Sequence, residues 1–124
     1  MDESIETRFK SVKGLAAEIL SRMNDEVVKL GFEDGEVQLK TADEAAFGLE
    51  RDPSNSLYSL VGYWMDKNCA RQGCLLFHPD GSFYVEQDIV RPHPLKKRWF
   101  VEALNAWGRD GNIKVEPRLL PMPE

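Results

Sequence analysis

Residues 71–90 read RQGCLLFHPDGSFYVEQDIV, which is two β-strand patterns joined by a turn. Pro79 presets the backbone of that turn, and Gly81 accepts the positive φ that a bulge requires. If His78 closes the turn opposite Ser82, alternate side chains of the two strands share a face. The segment therefore predicts a β-hairpin and, with it, an antiparallel sheet.

The closure of this hairpin sets the pairing of its strands. One face joins mostly apolar and small residues and is predicted to be the core side: Phe77 with Phe83, Leu75 with Val85, and Gly73 with Gln87. The other face is mixed in polarity: Leu76 with Tyr84, Cys74 with Glu86, and Gln72 with Asp88. A binding site on this sheet face would use Tyr63, His78, Tyr84 and Glu86, because carboxylates beside apolar groups can serve as acids or bases. Simple solvent exposure of an outer face explains the same composition.

The first thirty residues carry a helical pattern, with apolar side chains at gaps of three and four: Ile5, Phe9, Val12, Ala16, Ile19, Met23, Val27 and Leu30. The pattern predicts a helix from about residue 4 to 30, ended by Gly31 in the left-handed conformation. Because the spacing is nearly heptad, a helix-to-helix dimer seam is an alternative to packing on the chain's own sheet. Packing on the sheet is the arrangement we expect.

A second helix is predicted nearer the C-terminus. Pro94 suits its first position, and an apolar stripe follows: Trp99, Phe100, Ala103, Leu104 and Trp107. Three further segments are typical of strands, by alternation or by aromatic and β-branched content: residues 36–40, 57–66 and 113–116. Residues 42–51 fit a helix, since Thr41 and Glu44 form a capping box, but they also alternate as a strand, which we favour.

Together these elements predict a single α+β domain over residues 1–124. Its antiparallel meander of about five to six strands is packed by the long N-terminal helix and the second, C-terminal helix. Residues 116–124 hold several prolines and are expected to form a loose tail. The architecture is similar to that of small acidic secretion chaperones, a similarity from which no residue role follows.

The composition is that of a folded, acidic domain, with 42% hydrophobic and 30% charged residues and a net charge of −5. The N-terminus begins with acids where a signal peptide needs basic residues. No apolar run approaches the roughly 18–20 residues that span a bilayer. We therefore expect a cytoplasmic protein with no membrane association, and the acidic total disfavours nucleic acid as a partner.

Enzyme and metal signatures are missing from the sequence. It has no G-x-S-x-G elbow, no H-E-x-x-H pair and no phosphate-binding glycine loop. The spacing of Cys69 and Cys74, and the separation of His78 from His93, is unlike that of structural zinc sites. We expect no metal and no cofactor, and the sequence leaves enzymatic activity open while favouring a non-enzymatic role.

Residues 91–98 form a basic segment that contains four of the sixteen lysines and arginines and no acid. Its candidate binding residues are Arg91, His93, Lys96, Lys97 and Arg98. At the start of the predicted second helix, these groups and the free N–H groups of the first turn would accept a phosphate, a carboxylate or an acidic protein surface. A solvated run of charge, neutralised by the surrounding acids, is the alternative interpretation.

These observations predict a non-enzymatic interaction or adaptor protein, chaperone-like in role, that binds a protein partner or a small anion. A homodimer is compatible with the helical pattern. The alternative is a small enzyme or ligand-binding domain whose pocket lies between the sheet and a helix. The candidate lining residues of that pocket are Tyr63, Trp64, His78, Tyr84 and Glu86.

Overall fold

The computed structural model describes residues 3–123. Its elements are a long helix, a 3-10 turn and six strands: α1 (Glu3–Leu30), the turn Ala42–Glu44, β1 (Ala46–Arg51), β2 (Tyr58–Met65), β3 (Arg71–Phe77), β4 (Ser82–Pro92), β5 (Trp99–Arg109) and β6 (Asn112–Pro121). The strands form one sheet in chain order, and each neighbouring pair is antiparallel. The predicted antiparallel meander and long N-terminal helix are confirmed.

α1 packs its apolar stripe against one face of the sheet. Ile19 and Met23 are fully buried and share a core with Leu60 and Val85 of the sheet. The helix ends at Gly31, whose φ of +99° is the left-handed conformation expected there. No helix within residues 3–123 is long and apolar enough to cross a membrane.

The β3–β4 hairpin has the predicted register. Its pairs run from Gly73 opposite Gln87 to Phe77 opposite Phe83, as closure opposite Ser82 requires. The apolar side of the hairpin consequently faces α1, and the mixed side faces away from it.

The predicted second helix is wrong, because its residues form β5, which pairs with β4 on one side and β6 on the other. The misleading pattern arises because apolar side chains lie on both faces of β5 and because a register shift falls between Val101 and Ala103. Leu104 faces α1, whereas Trp107 faces away from it. The extra residue at such a shift changes the alternation of side chains, so the buried Val101 and Leu104 lie three residues apart, as they would on a helix. Pro94 lies in the loop before β5 and starts no helix.

The strand predicted over residues 36–40 is also wrong, since these residues form a turn and an extended loop. The amide side chain of Gln87 accepts a hydrogen bond from the Lys40 N–H at 2.8 Å and donates one to the Lys40 carbonyl at 2.9 Å. The buried Gln87 side chain thus makes the two hydrogen bonds to the Lys40 backbone that a neighbouring strand would otherwise make.

Residues 42–51 contain both predicted alternatives in succession. Thr41 and Glu44 form the capping box of the 3-10 turn, and β1 begins two residues after that turn. Residues 116–121, expected to be loose, instead form the second half of β6. Pro117 lies inside this strand, where the edge position tolerates its missing N–H.

The sheet has two faces and two ends, which separate the candidate residues. Leu75 and Val85 lie on the helix-covered face, and the alternate positions, such as Cys74 and Glu86, lie on the helix-free face. The β1–β2 loop and the turns at 78–81 and 110–111 lie at one end, here called the hairpin end. The β2–β3 turn, the β4–β5 loop and the end of β6 lie at the other.

Candidate functional site

The basic segment comprises the last two residues of β4 and the loop that joins β4 to β5, at the end of the sheet opposite the hairpin end. Because no helix follows Pro94, the free N–H groups of a helical first turn, which the sequence predicted as part of an anion site, do not exist. Any binding by this segment must therefore depend on its side chains and on the shape of the loop.

His93 supports the loop from inside and is not available to a ligand. Its side chain is only 5% exposed. Its Nδ1 accepts hydrogen bonds from the backbone N–H groups of Leu95 at 3.1 Å and Lys96 at 3.0 Å. Burial, and secondarily the charge of Lys96, lowers the pKa of His93, so the ring stays neutral and keeps its acceptor nitrogen.

Replacing His93 by alanine should lower the free energy of unfolding by about 1–3 kcal/mol, because two backbone N–H groups lose their acceptor and each hydrogen bond contributes about 0.5–1.5 kcal/mol. The lowered pKa means that the folded state binds fewer protons than the unfolded state below the ordinary value of 6.5. The stabilisation is therefore present above that pH and is lost as the pH falls below it. Urea unfolding between pH 5 and 8 should show this loss in the native chain and a flatter profile in His93→Ala. Equal stability of the two proteins at pH 7.5 would contradict the role given to His93.

Three cations of the basic segment remain unpaired. Arg91 Nη1 lies 4.0 Å from Glu36 Oε2. Lys96, Lys97 and Arg98 are exposed, and none has an ion-pair partner within residues 3–123. Their charges are therefore exposed to solvent, and no acidic side chain of the described residues neutralises them.

Exposed apolar side chains surround these cations, a feature that the sequence did not reveal. Of the eight large apolar side chains exposed within the described residues, five lie on strands and loops at this end: Met65, Val90, Leu95, Trp99 and Leu120. Leu95 is 66% exposed and Trp99 is 40% exposed. In the sequence, this surface was indicated only by the position of Trp99 directly after the cations. The predicted second helix placed Trp99 in its apolar stripe instead. We call Leu95, Lys96, Lys97, Arg98 and Trp99 the basic end.

Backbone hydrogen bonds give the basic end a defined shape. The His93 N–H donates to the Trp99 carbonyl at 2.9 Å, and the Trp99 N–H donates to the Lys96 carbonyl at 3.0 Å. The Met122 N–H donates to the Arg98 carbonyl at 2.8 Å, which ties the chain after β6 to the loop. A groove of about 690 Å³ lies beside Trp99, Arg98 and Met122.

The sheet-face residues divide into separate clusters. Tyr84 and Glu86 are in contact, since the Tyr84 hydroxyl donates to Glu86 Oε1 at 2.7 Å. The same oxygen accepts from Asn105 at 2.9 Å and from Arg118 at 3.2 Å. Although burial raises the pKa of Glu86, these hydrogen bonds lower it below its usual value. Glu86 thus stays ionised and is poorly suited to acid–base chemistry near neutral pH.

Tyr63 and His78 have other partners. The Tyr63 hydroxyl donates to Glu50 Oε2 at 2.6 Å, and the guanidinium of Arg71 lies 3.8 Å from the centre of the Tyr63 ring. His78 Nδ1 lies 2.7 Å from the hydroxyl of Ser59, a residue absent from the predicted set. The four predicted residues share the helix-free face but do not form one site.

The predicted pocket between sheet and helix is not lined by its proposed residues. Trp64 is 1% exposed in the core, where its indole N–H donates to the Thr41 carbonyl at 2.9 Å. Tyr63, Tyr84 and Glu86 lie on the opposite face of the sheet. These side chains therefore cannot contact one ligand between the layers.

Cysteine and metal chemistry find little support in the described residues. Cys69 and Cys74 are free thiols, and burial raises the pKa of Cys74, which disfavours the reactive thiolate. Within residues 3–123, no three His, Cys, Asp or Glu side chains are grouped so that they could hold a metal ion. The strongest candidate is therefore a binding surface, the basic end.

Comparison with known proteins adds no relative from which a role could be transferred. The function of the chain must be inferred from its own side chains. No protein-family model, curated protein or solved structure matches it.

Proposed function

We propose that this chain is a non-enzymatic interaction protein that uses its basic end to bind an acidic, partly apolar segment of a partner protein. One observation carries the proposal: three unpaired cations lie directly beside the exposed Leu95 and Trp99. Tryptophan and arginine are the residue types that most often dominate binding energy at protein interfaces.

The charges define the chemistry of the partner. Lys96, Lys97 and Arg98 are consecutive and have no acidic neighbour within residues 91–98. The chain as a whole carries −5, so its surface on average repels an acidic segment, whereas this run of cations attracts one. Such a local field increases the association rate and fixes the orientation of the partner more than it increases affinity.

The apolar side chains supply the affinity. Aspartate and glutamate of the partner would pair with the cations, and a leucine or aromatic side chain would cover Trp99 and enter the adjoining groove. Because His93 and three backbone hydrogen bonds already order the loop, little conformational entropy is lost on binding.

The test uses synthetic peptides in which Asp and Glu flank one Leu and one Phe, measured by fluorescence anisotropy. The triple variant Lys96→Glu, Lys97→Glu, Arg98→Glu should weaken binding at least about tenfold, which corresponds to about 1.4 kcal/mol. Trp99→Ser should weaken binding to a similar degree. Binding by the native chain should fall as salt rises from about 0.05 to 0.5 M, because the cations are exposed.

The matched control reverses three exposed cations away from the basic end, Lys10, Lys13 and Lys114. It changes the net charge by the same amount and should bind as the native chain does. Equal weakening in both triple variants would show a net-charge effect and contradict the proposal. Binding to phosphatidylserine vesicles, with none to the peptides, would identify a membrane surface instead and would also overturn it.

A further inference from the structure

The two edges of the sheet differ in how well they are protected from pairing with another strand. An edge strand leaves a row of N–H and carbonyl groups unpaired, and proteins block such a row with proline, lysine or irregular pairing. β6 contains Pro117 and Lys114, and its register shifts where it pairs with β5. β1 contains no proline and no lysine, and its register with β2 is unbroken. The β1 edge is therefore the unprotected one.

The hydrogen bonds of β1 show which of its backbone groups are free. The Asp52 N–H donates to the Leu57 carbonyl at 2.8 Å where β1 turns into β2. Because alternate residues of an antiparallel strand bond to the same neighbour, the N–H and carbonyl groups of Phe47, Leu49 and Arg51 point away from β2. No turn or loop hydrogen bond within residues 3–123 uses them. These groups can pair with one more strand.

The apolar side chains of β1 are only partly covered. Leu49 pairs with Leu60, which is fully buried, yet Leu49 itself is half-buried. Phe47 is also half-buried, and the centre of its ring lies 4.8 Å from that of Phe9 on α1. Both side chains lie on the helix-covered face. A further strand with apolar side chains on this face would complete their burial.

The sequence of β1 is complementary to itself. If a second copy lies antiparallel with Gly48 opposite Gly48, two-fold symmetry places Phe47 opposite Leu49 of the other copy, twice. Directly opposite residues share a face, so both apolar pairs lie on the helix-covered side of two joined six-stranded sheets. Glu50 then lies opposite Ala46 on the other face, so no like charges within the strands are directly opposite each other.

Charges at the two ends of β1 favour the same arrangement. Asp43 precedes the strand and Arg51 ends it. Asp43 is exposed, has no ion-pair partner within residues 3–123, and lines a groove of about 470 Å³ between α1 and the 3-10 turn. The other charged residues of this groove, Lys13 and Asp25, offset each other. In the register above, Arg51 lies opposite Ala45 of the second copy, close to that copy's Asp43, and symmetry forms this contact twice.

We propose that the β1 edge binds a second copy of this chain, forming a homodimer by antiparallel β1–β1 pairing. Unused backbone groups, half-buried apolar side chains and complementary charges all lie along this one edge. The apolar stripe of α1 is covered by the chain's own sheet, so the interface is a strand edge and not a helix-to-helix seam. The inference is independent of the basic end, which lies on the β4–β5 loop and at the start of β5.

Sedimentation velocity on the native chain tests the proposal without any variant. A short strand edge gives a small interface, so we expect a monomer–dimer equilibrium with a dissociation constant between about 1 and 100 µM. A chain that stays monomeric up to about 1 mM would overturn the inference in favour of a strand from another protein.

Hydrogen exchange followed by NMR locates the interface. The amides of Phe47 and Leu49 should exchange slowly only at chain concentrations where the dimer predominates, because their N–H groups are unpaired in the single chain. The amides of Gly48 and Glu50 bond to β2 and should change little. Fast exchange of Phe47 and Leu49 in the dimer would contradict β1–β1 pairing.

Gly48→Lys should weaken dimerisation at least about tenfold, because two ammonium groups then lie opposite each other at the symmetry axis. The single chain tolerates this side chain, since a Cβ at Gly48 would meet nothing within 4 Å. Gly111→Lys is the matched control in the β5–β6 turn, where a Cβ also meets nothing within 4 Å, and it should dimerise as the native chain does. Equal weakening in both variants would exclude the β1 edge as the interface.

A charge exchange tests the contact between Arg51 and Asp43. Arg51→Asp should weaken dimerisation about threefold or more, because two exposed ion pairs are replaced by repulsion between carboxylates. Combining it with Asp43→Arg restores opposite charges and should restore dimerisation. A double variant no better than Arg51→Asp alone would show that the two side chains do not meet. The sedimentation result on the native chain stays decisive even if a variant does not fold.

Discussion

Alanine at Gly73 should reduce the free energy of unfolding by about 3 kcal/mol or more, a large part of the roughly 5–15 kcal/mol that keeps an ordinary protein folded. Gly73 has a φ of +155°, which side-chain-bearing residues rarely adopt. A Cβ built on it would lie 2.2 Å from the Glu86 carbonyl oxygen and 3.1 Å from Trp64 Cε3. Because the first of these atoms is backbone inside the β3–β4 ladder, it cannot move aside without breaking strand pairing.

Gly48→Ala is the matched control. Gly48 lies in β1 at the edge of the same sheet, and a Cβ there would meet nothing within 4 Å. This substitution should leave stability unchanged or increase it by up to about 1 kcal/mol, because alanine loses less backbone entropy than glycine on folding. Urea unfolding followed by tryptophan fluorescence would compare the two variants. Equal unfolding midpoints would contradict the close approach of β4 to Gly73.

Removing the side chain of Gln87 should cost about 2–4 kcal/mol. Gln87 is buried, and its amide satisfies both the N–H and the carbonyl of Lys40. Each polar group left unsatisfied in the interior costs about 1–3 kcal/mol, and Gln87→Ala also leaves a void. The backbone N–H of Lys40 then has no acceptor, so this amide should exchange its hydrogen much faster than in the native chain.

Gln72→Ala provides the comparison for Gln87. Gln72 lies on the other strand of the hairpin, is only half-buried and makes no side-chain hydrogen bond within residues 3–123. Its replacement should change the free energy of unfolding by about 0.5 kcal/mol or less. Slow exchange of the Lys40 amide in Gln87→Ala would show that the segment is held by other contacts, contrary to the prediction.

Gln87 also shows why the strand over residues 36–40 could not be predicted correctly. The alternation of Val37 and Leu39 describes which side chains are partly buried, and both do pack against the core. It does not tell whether a second backbone lies alongside. That depends on Gln87, which is 47 residues from Lys40 in the chain.

The candidate sites were predictable only in part. The basic segment was visible as a run of charge, and the position of His78 at the end of β3 followed from the hairpin register. The burial of the His93 side chain and the exposure of Trp99 both depend on the fold of the loop, which the sequence pattern does not specify. The contact between His78 and Ser59 depends on how β2 pairs with β3, which no short pattern specifies.

The sequence by itself determined the elements whose backbone hydrogen bonds join residues close together in the chain. α1 follows from a 3.6-residue period with Gly31 as its stop, and the β3–β4 hairpin follows from Pro79 and Gly81 with two-residue alternation. Only the tertiary structure decided that Trp99–Arg109 is a strand, because apolar side chains on both of its faces, together with a register shift, imitate helical spacing. Its hydrogen bonds are made to β4 and β6, and the residues of a strand do not specify which other strands pair with it, whereas the hydrogen bonds of a helix lie within the helix itself.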